Sequence, residues 1–103
     1  MFDASAAPSW FLALDEEDHQ FIRRFILHSG SLKALAEEYD VSYPTLRSRL
    51  DHLIAKIRAV EDPKVKDPLH LKLQLLVADG EISYGIAKAI LLEYEASKRR
   101  KHA

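Results

Sequence analysis

Apolar positions recur along most of this chain at intervals of three and four, the spacing that gathers side chains on one face of an α-helix. The clearest run is Leu46, Leu50, Leu53 and Ile57, at i, i+4, i+7 and i+11. Ser42 stands ahead of it as a cap, and Pro44 falls in the first turn, where a missing N–H costs little. Upstream, Ser31 caps a shorter run in which Leu32, Leu35 and Ala36 share a face. Asp40 follows the last turn of that run, and Val41 is expected to re-enter the core. A short helix, a tight turn and a longer helix predict a helix-turn-helix.

The flanking segments add a third helix before this pair and two after it. Asp15 caps a run whose first turn holds Glu16, Glu17 and Asp18, where the helix dipole favours acids. Phe21, Ile22, Phe25 and Ile26 mark its core face, and Gly30 ends it. The preceding SWFLAL lays Trp10, Phe11 and Leu14 over the core as a short helix or strand. Residues 9–60 thus read as a tri-helical unit.

AVEDPKVKDP, with two prolines and alternating charge, supplies a linker over 61–67. Beyond it Leu69, Leu71, Leu73 and Leu75 alternate as in a strand. The Asp67-Pro68 start and the Gly80 stop favour a helix instead. That helix is apolar on two sides, with Leu69, Leu73, Leu76 and Val77 on one and Leu71, Leu75 and Ala78 on the other. Ser83 caps a last helix whose stripe is Ile86, Ala87, Ile90, Leu91 and Tyr94, ending in the basic run Lys98 to His102. The expected fold is all-α, a tri-helical helix-turn-helix unit followed by a C-terminal αα-hairpin over 68–103. A helix apolar nearly all round needs cover on both sides. The hairpin is therefore expected to be a homodimerisation arm, through Leu69, Leu71, Leu73, Leu75, Leu76, Ile86 and Ile90.

Composition narrows the chemistry. With no cysteine in 103 residues there is no disulfide framework, thiolate metal site or cysteine nucleophile, which suits the cytoplasm. The five histidines show no paired ligand spacing, and the three glycines stand singly, so no phosphate-cradling loop is present. Nothing sets a nucleophile beside a base; neither an enzyme nor a cofactor is expected. No apolar stretch approaches bilayer length, and the first residues lack the pattern of a secretory signal.

The formal net charge is −1, yet it is unevenly spread. Residues 1–40 hold eight acids against Arg23, Arg24 and Lys33, whereas residues 41–72 hold seven Lys or Arg against four acids. A local basic face on a neutral chain is a normal footprint of a small DNA-binding module. The expected partner is duplex DNA. Arg47 is placed to bond guanine O6 and N7, Tyr43 and Pro44 offer apolar surface to a thymine methyl, and Ser42, Thr45 and Ser48 are short donors for phosphate or a base edge. Arg49, Lys56 and Lys33 are expected to hold the helix on the phosphate backbone. Asp51 is awkward there, and at i+4 from Arg47 it can instead pair with that arginine.

The run LKALAEEYDVSYPTLRSRLDHLIAKIR resembles the DNA-reading helix pair of sigma-factor region four and related response regulators. In that pattern Ala36 is the small residue where the helices touch, Val41 the buried turn residue and Leu46 the core anchor. Asp40 replaces the usual turn glycine, which asks it for a positive φ. GSLKALAEEY and SYPTLRSRLDHLIAKI are also similar to a family of small uncharacterised bacterial proteins, many with a zinc ribbon ahead of this domain. That module needs cysteines, which this sequence lacks. The resemblance, over about residues 10 to 60, implies a bacterial transcriptional regulator. A protein-interaction module of the transcription machinery, with the helix pair as scaffold, is the alternative.

Overall fold

The computed structural model describes residues 6–65 and 67–102. They form six helices in the order α1 (Ser9–Leu12), α2 (Glu16–Leu27), α3 (Leu32–Tyr39), α4 (Tyr43–Glu61), α5 (Pro68–Ala78) and α6 (Tyr84–His102). The architecture is all-α, and α3 and α4 are the helix-turn-helix.

Short polar side chains start α2 to α6 by taking amides that the first turn leaves free. Asp15 and Asp18 form a reciprocal capping box at α2, with the Asp18 amide donating to Asp15 at 2.8 Å. Ser31 accepts from Ala34 N–H at α3 and Ser42 from Thr45 N–H at α4. Asp67 accepts from Leu69 N–H at α5, with Pro68 following, and Ser83 from Ile86 N–H at α6. The SWFL run is the helix α1. The Phe11 ring stacks on His19 with centroids 4.0 Å apart, and Phe11 C=O lies 2.7 Å from His19 Nε2, fastening α1 to α2.

The core of the first unit is Leu14, Phe21, Leu35, Ala36, Leu46 and Leu53, walled by Trp10, Ile22, Phe25, Tyr39, Leu50 and others. Each buried Leu or Phe here contributes about 1.5–3 kcal/mol by leaving water. Two expected core members stand elsewhere. Ile26 is 68% exposed, in the last turn of α2, one residue before the helix ends at Leu27. Val41 is 41% exposed: its amide closes the turn by donating to Ala36 C=O at 3.1 Å, while its side chain stays largely in solvent.

Two junctions use left-handed backbone. Asp40 ends α3 at φ 54°, the conformation its place in the turn requires. At the end of α2, Ser29 and Gly30 are both left-handed, at φ 56° and 78°. Gly30 N–H returns to Phe25 C=O at 2.9 Å, so the glycine marks the loop that follows α2.

α4 runs through Glu61. α5 then folds back along α4, and α6 packs on α5. The chain itself thus covers α5 on two sides, with α4 and with α6, and leaves none of its leucines exposed. Leu73 is 5% exposed and Ala87 7%, forming a small second core in the hairpin. Tyr94 O–H and Lys98 Nζ reach Asp67 at 3.2 and 3.0 Å, tying the far part of α6 to the start of α5. The Leu69 amide and then Lys98 hold the Asp67 carboxyl below its ordinary value, and Asp67 in turn raises Lys98.

Candidate nucleic-acid interface

The first two turns of α4 present a surface with little in front of it. Ser42, Tyr43, Pro44, Thr45, Arg47 and Ser48 are all exposed, while Leu46 between them is buried as the anchor. This division follows from helical spacing: Leu46, Leu50 and Leu53 face α1 to α3, so residues 43, 47 and 48 face away. Ser42 Oγ and Thr45 Oγ1 lie 2.8 Å apart and cap one another, which fixes their direction while leaving lone pairs outward. Lys33 is exposed at the start of α3. Such a protruding helix start, with short hydroxyls and a guanidinium, is what a major groove admits.

The two arginines of this helix start, Arg47 and Arg49, are engaged within the chain. Arg47 Nη2 lies 3.2 Å from Asp51, both about half exposed, in the i, i+4 pairing that the spacing allowed. Arg49 reaches across to α2, donating to the Glu17 carboxylate at 3.0 Å and to Glu17 C=O at 3.4 Å, with its guanidinium 5.4 Å from the centre of the Phe21 ring.

Lys56 corrects the expectation drawn from sequence. It is 4% exposed and cannot reach a phosphate. Its ammonium donates to Asp18 on α2 and, at 3.1 Å, to Asp79 at the end of α5, with Asp15 at 3.9 Å. Burial alone would lower its pKa, but the bonds to Asp18 and Asp79 outweigh that and raise it above its ordinary 10.5. The sequence held a signal for this: Lys56 follows Leu53 by three residues, on the edge of the apolar stripe. Neither Glu17 nor Asp79 was legible as a partner, since each lies far from its basic residue in sequence. Asp15 is held below its ordinary 3.8, first by the Asp18 amide and then, against the opposing effect of burial, by Lys56.

Residues 14–60 match a family described as Domain of unknown function (DUF2089)-HTH. These residues are a helix-turn-helix domain. The match agrees with the expectation of an uncharacterised helix-turn-helix family; it covers α2 to α4 and stops short of the hairpin. No curated protein and no solved structure matches the chain. No helix among the described residues is long and apolar enough to cross a membrane.

Proposed function

We propose that this chain is a non-catalytic, sequence-specific binder of duplex DNA that regulates transcription in the bacterial cytoplasm, as a homodimer and without a cofactor. The observation that carries the reading is the exposed start of α4 within a helix-turn-helix, with Tyr43, Arg47 and Ser48 turned away from the core. Arg47 is the base-reading residue, Ser42, Thr45 and Ser48 contact phosphate or a base edge, and Lys33 steadies α3 on the backbone. The homodimer is supported by the hairpin, where Ile86 and Ile90 are 53% and 43% exposed beside an open apolar groove lined by Leu69, Ala89 and Tyr94. Pairing doubles the contacts of a module that alone reads only a few base pairs.

The experiment is selection of duplexes from a random pool, followed by salt-titrated binding of the selected site. Arg47→Ala should lose about 1–3 kcal/mol on that site and relax selectivity at one base pair. Unchanged binding by a folded Arg47→Ala variant removes the base-reading role. One observation favours the second reading, a protein-interaction module. Ile26 and Leu27 are 68% and 66% exposed side by side at the end of α2, an apolar pair with no use in a DNA complex. Absence of any duplex binding at low salt selects that reading.

A further inference from the structure

We infer that Glu17 is an affinity-setting residue, an internal stand-in for a DNA phosphate that holds Arg49 until the backbone displaces it. The inference rests on the DNA-binding reading and deepens it. Arg49 lies two positions past Arg47 on α4 and is the charged residue next to the exposed start of that helix. Its guanidinium donates to a Glu17 carboxylate oxygen at 3.0 Å, the donor geometry it would offer a phosphate oxygen. Glu17 is otherwise uncommitted: its side chain is 76% exposed, and this pair is its one ion pair among the described residues. Arg49 is 35% exposed, so solvent and a ligand can reach it while the Phe21 ring steadies its plane.

The arrangement has the form of an exchange. An exposed carboxylate is a weak competitor, because water and salt screen the pair. A duplex phosphate carries the same charge and brings the field of its neighbours, so it can take the guanidinium while Glu17 turns into solvent. Release of Glu17 takes the place of release of an ion, so the clamp removes one contact from the salt dependence of the free guanidinium. It also places an acid beside the path of the DNA strand, which lowers affinity for every sequence alike and leaves selection to Arg47. On a chain whose 15 Lys and Arg are balanced by 16 Asp and Glu, this makes non-specific binding weak by construction.

The test uses the full chain and a 20-base-pair duplex carrying the selected site, with four proteins, wild type, Glu17→Gln, Glu16→Gln and Arg49→Ala, and the Glu17→Gln/Arg49→Ala double variant as a control. Glu16 is the neighbouring exposed acid, bonded to Gln20 at 3.0 Å and not to Arg49, so its variant makes the same charge change away from the clamp. Glu17→Gln is expected to bind about two- to fivefold tighter at low salt, with a log–log salt slope steeper by about 0.9, and Glu16→Gln to change little. Arg49→Ala should weaken binding and erase the effect of Glu17→Gln in the double variant. Equal gains from Glu16→Gln and Glu17→Gln would assign the effect to net charge and overturn the inference. So would wild-type binding that Glu17→Gln leaves unaltered. A second readout needs no DNA: the Arg49 Nε–Hε resonance of the free protein should shift and exchange faster with water in Glu17→Gln. An unmoved resonance means that no clamp exists. Failure of all four proteins to bind any duplex, with the resonance shift present, overturns the DNA reading itself and the inference with it.

Discussion

Lys56 Nζ lies 3.1 Å from Asp79 Oδ1 while also donating to Asp18, so one ammonium joins α2, α4 and the end of α5. Two carboxylates on one buried cation leave none of the three groups without a partner. Among the described residues no buried side-chain nitrogen or oxygen is unpaired. The helix-turn-helix and the hairpin are therefore joined by charge as well as by the α4–α5 packing.

Removing the ammonium should be costly, because it leaves Asp18 buried without its partner. Lys56→Met is expected to lower stability by about 3–5 kcal/mol, read from urea denaturation at neutral pH. The pH dependence has a definite sign. The folded pKa of Lys56 is raised, so its stabilisation is complete below 10.5 and is lost as pH climbs through the higher folded value. Asp15 has a lowered folded pKa, so its share is present above 3.8 and is lost on acidification below that. The urea midpoint should be level through neutral pH and fall at both ends. In Lys56→Met the alkaline fall should shrink, and an unchanged alkaline fall would show that another group causes it.

Asp40 and Ser29 hold left-handed backbone that suits glycine better. Each of Asp40→Gly and Ser29→Gly should stabilise the fold by about 0.5–1 kcal/mol, seen as a rise in thermal midpoint with unchanged helix content. A loss of stability at Asp40 would mean that its side chain contributes more than its backbone strain costs.

The hairpin offers a sharper test of assembly than its sequence did. The expected interface over Leu69, Leu71, Leu73, Leu75, Leu76, Ile86 and Ile90 divides in the structure. Leu73 belongs to the monomer core, whereas Ile86 and Ile90 face solvent. Ile90→Glu should leave helix content intact and convert a dimer to a monomer in light scattering. Leu73→Glu should instead unfold the hairpin. A wild-type chain that is already monomeric removes the dimer and the doubled contacts with it.

Much of this fold was legible because its signals are local. Asp15, Ser31, Ser42, Asp67 and Ser83 each cap the helix that follows, and the Leu46, Leu50, Leu53 stripe meets the core as its spacing implied. Where inference failed for Lys56 and for α5, the deciding contact was distant in sequence. Lys56 looked like any basic residue of a solvated face until α5 folded back and set Asp79 beside it. The apolar excess of α5 suggested a partner chain, yet α4 and α6 cover much of it. Val41 and Ile26 were assigned to the core by pattern, and both sit at helix ends, where a change of backbone direction turns the side chain outward.

Because α6 lies along α5, and α5 along α4, the chain behaves as rigid links joined in series. α6 has 19 residues. Such a helix is about 28 Å long, so a tilt of about 10° at its root swings its tip by about 5 Å. The Lys56 cluster sits at the root of that lever, at the end of α5 where the hairpin turns. Asp67, bonded to Tyr94 and Lys98, holds α6 to α5 at the other end, so a tilt set at the Lys56 cluster would carry the hairpin as one piece.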